Sequence, residues 1–473
     1  MSTITLSLIS HTNVGKTTLA RTLLRRDIGE VLDQAHVTEV SEAHELVATG
    51  EHRLMLWDTP GLGDSARLMS RLRKEHNPMG WLLHQVWDRN RDRPLYSSQE
   101  AVRNIQTDAD VVLYLVNASE DPADAGYVTH ELELLGWIGK PVLVLLNQIG
   151  EATSGAGAPG NPVARWTEAM QSWPVVQHVL PLDAFTRSWV EEVVLLEHVE
   201  DLVAPERKPA MHALATEWQA RSLRIFSRAA GRIAAYLIAA AADRELLTGE
   251  SAATSEKRRA MRALAMRLDR STVELMADLL DMHGLQGRFQ EEALTRLEED
   301  FRMPGEVVSS GRAAMFGAAM GGAAGGLITD VATGGLSFGA GAIVGAVLGA
   351  IGAAGLLKGF QMASDTAQPQ VQWSQDFLRD LTQQALLRYL AVAHFGRGRG
   401  QWREIGNADR WTSLVDRALA ARAAALAGVL AAPESGGYTA GTAAEAQETV
   451  REMLSDVLAT VYPQAAAMLR ERP

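Results

Sequence analysis

An α/β domain followed by an all-α half is the fold class this sequence predicts, on three observations. Residues 1 to about 205 alternate short apolar runs with helix-like stretches. From Ala210 onward the strand signal vanishes, and Ala, Leu, Arg and Glu recur at helical spacing. Between the first apolar run and the first helical stretch lies Ser10-His11-Thr12-Asn13-Val14-Gly15-Lys16-Thr17. A Gly-Lys-Thr loop set between a strand and a helix is the context that phosphate binding requires.

The elements follow in chain order. Ile4 to Ile9 and Leu54 to Trp57 read as buried strands, with a helix from Thr17 to Arg26 after the loop. Ala109 to Val116 and Pro141 to Leu146 are rich in Val and Leu, which suits strands covered on both faces of a mostly parallel sheet. Tyr127 to Ile138 supplies a helix between them, and a Gly/Ala/Pro loop, Ser154 to Pro162, interrupts the pattern near its end. Pro205 and Pro209 flank a charged stretch, so the first domain is set at 1–205. Helical spacing then runs through Leu247, from Glu256 to Asp300, from Trp373 to Ala393 and from Trp411 to the end. This divides into a helical domain (206–310), a glycine-rich apolar hairpin (311–360) and a helical C-terminal region (361–473).

Composition excludes some functions. A net charge of -12 offers no positive field to recruit nucleic acid, so no nucleic-acid partner is expected. Without cysteines there are no disulfides or thiolate metal sites, which fits a reducing cytoplasm. The chain enters a strand directly, without a basic segment before an apolar one, which predicts no secretory signal.

The chemistry is carried by two motifs. The loop would turn backbone N–H groups to phosphates, with Lys16 on the β/γ oxygens and the Thr17 hydroxyl on Mg²⁺. Asp58-Thr59-Pro60-Gly61 ends the next apolar run, where Asp58 would hold the same metal through water.

Together with the strand ending in Asn147, Asn13-Val14-Gly15-Lys16-Thr17-Thr18-Leu19 and Asp58-Thr59-Pro60-Gly61 resemble the Era/TrmE-like branch of translation-factor-related P-loop GTPases. A head of this kind joined to a long helical half with a glycine-rich apolar stretch is similar to a bacterial family of such GTPases. The resemblance implies GTP/GDP and Mg²⁺ as ligands, held by Asn13, Val14, Gly15, Lys16, Thr17 and Thr18 at the phosphates. Asn147 and Gln148 would lie at the base, and Lys16, Thr38, Asp58 and Gly61 would serve hydrolysis. The metal set would be Thr17, Thr38 and Asp58, with Thr38 as the switch threonine or an ordinary exposed one.

Departures from the pattern set further expectations. Ser10 stands where the loop's first glycine falls, and is tolerated unless φ there is positive. Asn-Lys-x-Asp reads Asn147-Gln148-Ile149-Gly150, so the aspartate that grips guanine is missing, and guanine preference should weaken. The last nucleotide loop, Leu182-Asp183-Ala184, would compensate through its backbone or through Asp183. Asn13 has two readings: a ligand for a catalytic K⁺ or a former of the turn. Leu62 replaces a water-positioning glutamine and cannot orient water. Turnover should be slow unless K⁺, another partner or a second copy in a homodimer completes the site.

Two segments concern partners. More than forty residues separate Leu62 from Ala109, and they include Arg67, Arg71, Arg73, Lys74, Arg89, Arg91 and Arg93 with Trp81 and Trp87. They read either as a partner or membrane-surface contact or as a lid on the protein's own helical half. From Ala313 to Leu357 the only charge is Asp330, and Gly317, Gly321, Gly325 and Gly341, Gly345, Gly349 recur every fourth residue. That spacing suits close helix pairs, either in a membrane hairpin at the inner membrane, peripheral or integral, or within a soluble domain. The functional expectation is a slow GTPase switch that couples its state to a membrane or membrane-protein partner. The alternative is a nucleotide-gated scaffold with negligible hydrolysis.

Overall fold

The structure is a computed structural model that describes residues 2–12, 14–25, 42–84, 93–149, 161–182, 188–248, 254–285, 360–363, 369–395, 407–431 and 439–471. The chain divides into two compact units: Met1–Ser222 with Ala393–Gly406, and Leu223–Val392 with Asn407–Pro473.

In the first unit a six-stranded sheet has the order β2-β3-β1-β4-β5-β6. Its strands are β1 (Ser2–Ser10), β2 (Glu42–Thr49), β3 (His52–Asp58), β4 (Val111–Asn117), β5 (Val142–Asn147) and β6 (Val176–Pro181). Only β2 runs antiparallel. The central strands β1, β4 and β5 are almost wholly buried, which is why they read as unbroken apolar runs. The edge strand β2 places Glu42, His44 and Glu45 in its first half and carries a register shift between Glu45 and Val47, so its sequence is silent.

Helix α1 (Lys16–Leu24) starts at the lysine and ends on Arg25, whose φ of 54° is left-handed. It is shorter than the expected Thr17 to Arg26. The stretch after Leu62 forms α2 (Ser65–Leu72), α3 (Pro78–His84) and α4 (Arg93–Thr107). Leu68, Met69, Leu72, Leu82, Leu95, Val102 and Ile105 enter one core with Val112, Tyr114 and Val144 of the sheet, and Trp81 packs against it half-buried. This segment therefore covers the sheet of its own unit, a packing that neither sequence reading specified. The side chains of Arg89, Arg91 and Trp87 lie outside the described residues. Helix α5 (Gly126–Ile138) follows β4, and α6 (Pro162–Met170) leads into β6. Helix α7 (Trp189–Leu202) opens on a capping box, in which the Ser188 hydroxyl accepts from the Val190 N–H while Glu191 accepts from the Ser188 N–H.

The 35-residue α8 (Lys208–Ala242) crosses the sequence limit of the two units. The second unit adds α9 (Thr254–Met282), α10 (Gln375–Ala393), α11 (Asn407–Ala421), α12 (Ala423–Leu430), α13 (Ala440–Val461) and the short α14 (Ala466–Arg470). Its core centres on Tyr389, whose ring lies 6.0 Å from that of Phe226 and 5.7 Å from that of His283. Tyr236 and Thr272 share a buried hydroxyl–hydroxyl bond of 2.8 Å. Gln447 reaches back to Ser227 at 3.2 Å. The half is helical as expected, with one correction: the strand signal does not vanish entirely. Strands β7 (Arg244–Leu246), β8 (Phe360–Ala363) and β9 (Gln370–Trp373) form a small antiparallel sheet. With three or four residues each, they are too short to announce themselves.

Among the described residues, one helical segment, Pro205–Ala242, is long and apolar enough to cross a membrane by length and composition, and half of its apolar window is buried in the protein. Ala313 to Leu357, the glycine-rich stretch, lies outside the described residues.

Candidate functional site

The loop between β1 and α1 is shaped by one glycine and one asparagine. Gly15 has φ +95°, a conformation that side chains rarely adopt, and a Cβ there would stand 2.6 Å from Asn147 Nδ2. Asn147 is fully buried, and its Nδ2 donates to the Val14 carbonyl at 2.7 Å. The end of β5 is thus tied to the loop, and only glycine leaves room for the tie. Gln148 follows with φ 54°, its amide 3.9 Å from the same Cβ position. Ser10 lies within β1 and is not among the positive-φ residues, so it is accommodated without strain; its hydroxyl donates to the His11 carbonyl. Val14 and Thr18 are buried.

At the end of β3, the Thr17 hydroxyl donates to Asp58 Oδ2 at 2.9 Å. Lys16 Nζ stands 3.5 Å from Asp58 Oδ1, a buried atom without a hydrogen-bond partner among the described residues. A hydroxyl and an orphaned carboxylate oxygen side by side at a helix N-terminus fit a hard divalent cation such as Mg²⁺. Thr59 donates its hydroxyl to the Leu8 carbonyl at 2.7 Å, and the Leu62 N–H donates to the Ser10 carbonyl at 2.9 Å. A Cβ on Gly61 would meet the Thr12 methyl at 3.2 Å. Asp58 to Leu62 is therefore laced to the phosphate loop. Leu62 itself is buried and offers nothing to a water.

Sequence reasoning missed a buried polar network behind the loop. Glu131 of α5 is fully buried; it meets His11 Nδ1 at 2.7 Å and accepts from the Tyr114 hydroxyl at 2.7 Å. It also takes a hydrogen bond from Ser65, the first residue of α2. His11 stacks on Tyr127 with centroids 4.3 Å apart, and the Tyr127 hydroxyl donates to Glu120 at 3.0 Å. Burial pushes the Glu131 carboxyl up, against its bonds with His11, Tyr114 and Ser65. Burial pulls His11 down, but the hydrogen bond and charge of Glu131, with Glu120 and Asp64, leave it raised. The loop's second residue and the helix after Gly61 thus share one carboxylate. Tyr127 and Glu131, four apart on one helix face, were the only available hint. Asn13, Thr38, Gly150 and Asp183 lie outside the described residues.

Two family models match the chain. One, described as a domain of unknown function (DUF3482), spans residues 175–462. The chain belongs to that family. The other, described as a 50S ribosome-binding GTPase, spans residues 5–148. The first part is accordingly a P-loop GTPase domain that binds guanine nucleotide, followed by the DUF3482 region. No curated protein matches the chain. Solved structures that match include Era in complex with MgGDPNP and a segment of 16S ribosomal RNA, at 18% identity and TM-score 0.32, covering 43% of this chain and 58% of that one. Aquifex aeolicus Era bound to GDP and AlF4⁻ matches at 14% identity and TM-score 0.32, covering 59% of this chain and 90% of that one. The chain thus spans little more than half of the first of these.

Proposed function

We propose that the protein is a slow GTPase switch whose nucleotide state is passed on to a membrane or membrane-protein partner. What supports slow turnover is Leu62, buried and hydrogen-bonded through its N–H to Ser10 where a water-positioning side chain would be needed. In this reading Lys16 binds the β/γ phosphates, and Thr17, Thr38 and Asp58 hold Mg²⁺. Gly61 lets the switch backbone approach the loop. Asn147 and Gln148 set the floor of the base site, with Asp183 replacing the contact that Gly150 lacks. Asn13 brings in K⁺, whose charge assists hydrolysis when bound. The partition at 205/206, with a hairpin at 311–360, belongs to the same proposal.

The output is proposed from composition. The low charge of Ala313 to Leu357 suits lipid or a membrane protein, and the net charge of -12 speaks against RNA as partner. Because Glu131 receives bonds from both His11 and Ser65, a shift of the phosphate loop is felt at the start of α2. A second copy or another protein would complete the hydrolytic site.

GTP turnover by the full chain, measured in potassium and in sodium, with and without liposomes, tests this. Potassium should raise the rate, Asn13→Ala should remove the rise, and the chain should float with the liposomes. Equal rates in both salts would reduce Asn13 to a turn former. Tight binding with no turnover in any condition would favour the nucleotide-gated scaffold, to which Leu62 also points.

A further inference from the structure

On the opposite end of the sheet from the phosphate loop, β6 and α7 bring three ligand-type side chains together. His178 is the third residue of β6, and its backbone pairs with Leu143 near the start of β5. His198 and Asp201 lie three apart on α7, on one face of that helix. One nitrogen from each imidazole and one Asp201 oxygen all lie within 4.8 Å of one another. The two rings face each other with centroids 4.3 Å apart at 43°. Neither imidazole has a hydrogen-bond partner among the described residues. Two half-buried rings in contact, with a carboxylate oxygen beside them, bring three ligand atoms within reach of one ion.

We propose that His178, His198 and Asp201 bind a divalent transition ion, Zn²⁺ by preference, that clips the edge strand β6 to α7. Two imidazoles and a carboxylate are a common protein set for this ion, with water as the fourth ligand. Tetrahedral ligands around zinc stand about 3.4 Å apart, so the cluster closes onto the metal by small side-chain rotations, led by the exposed Asp201. Binding needs neutral imidazoles. All three residues fall inside the segment that matches DUF3482, and none approaches Lys16 or Asp58 in sequence. The ion fastens the first strand and helix of that segment to each other at an open sheet edge and keeps one position open to water.

The test uses the full chain saturated with GDP and millimolar Mg²⁺, so that the site at Thr17 and Asp58 is taken. Zn²⁺ is titrated while metal content after gel filtration and the thermal midpoint are read; Co²⁺ is then substituted and its visible spectrum recorded. One retained equivalent, a raised midpoint and a four-coordinate cobalt spectrum are expected. His198→Gln and the surface change Asp201→Asn should each weaken uptake at least about tenfold. His212→Gln should not, because that imidazole is engaged with Glu200 at 3.0 Å. GDP binding should be unchanged in all variants, which checks the fold. No retained zinc in the parent chain, or equal retention in His198→Gln and Asp201→Asn, would overturn the site.

Discussion

The head and the helical half use glycine in opposite ways, and the contrast separates a site from a scaffold. Gly15 has a positive φ and faces the buried Asn147 amide, which is fixed by its bond to Val14. Nothing there can give. Gly231, within α8, would place a Cβ 3.1 Å from the tip of Gln447, a long side chain that can swing aside. The head is specified by polar atoms whose positions are dictated by one another, whereas the helical half is specified by apolar volume around Tyr389, Phe226 and Tyr236. Damage to the first should be read in nucleotide affinity, and damage to the second in stability.

The largest expected effect falls in the helical half. Tyr389 is fully buried, so Tyr389→Ala should cost about 3–5 kcal/mol of stability by leaving a cavity between Phe226 and His283. Thermal unfolding should show the loss, while the affinity for a fluorescent GDP analogue below the transition stays within about twofold. A comparable fall in affinity would erase the distinction between the two regions.

Next comes the glycine pair. Gly15→Ala combines a strained φ with a 2.6 Å overlap on a fixed amide, and should lower nucleotide affinity by about 3 kcal/mol, over a hundredfold. Gly231→Ala should leave affinity alone and change stability by less than about 1 kcal/mol, since helix propensity gained offsets the displaced Gln447. Equal nucleotide binding by the two variants would refute the reading of Gly15.

These positions differ in how far the sequence disclosed them. Lys16, Thr17 and Asp58 stood out because phosphate and metal chemistry demands those residue types after strands, and β1 is buried on both faces. Strand β2 did not, because an edge strand paired on one side can be half polar. The sheet of β7, β8 and β9 was hidden by brevity and by the long separation between Leu246 and Phe360. Asn147 was expected at the base; its grip on Val14 was not legible, since a contact across 133 positions leaves no local pattern. The same holds for Glu131, which reads as one more helix carboxylate until the fold buries it beside His11.

A middle-sized effect should come from that grip. Asn147→Ala frees the space beside Gly15 and strands the Val14 carbonyl, a cost of about 1–3 kcal/mol. Loss of affinity should be similar for GDP and GTP, because the loop rather than the γ-phosphate is disturbed. In Asn147→Ala the double change with Gly15→Ala should then cost less than the sum of the two, since the overlap is gone. Strict additivity in that cycle would show that the two residues do not meet.

The smallest effect is the most diagnostic of the network behind the loop. His11 is held above its ordinary 6.5 in the folded chain: burial lowers it, and Glu131 with Glu120 and Asp64 more than restores it. The folded state therefore keeps the proton longer than the unfolded one. The stabilisation is complete below 6.5 and is lost as pH rises through the raised folded value. Glu131 is pushed up by burial and shares its hydrogen bond with His11, so the two titrate as a pair and the slope belongs to the pair. Stability of the nucleotide-free head should thus decline from mildly acidic to mildly alkaline pH, by no more than about 1 kcal/mol given the partial exposure of His11. His11→Asn should flatten that slope, and it should also loosen α2 at Ser65 by changing the partner of their shared carboxylate. Hydrogen exchange at Ser65–Leu72 that is the same in the variant and the parent chain would confine His11 to the loop. Faster exchange there, with the core strands β4 and β5 unchanged, would make it the link from phosphate to switch.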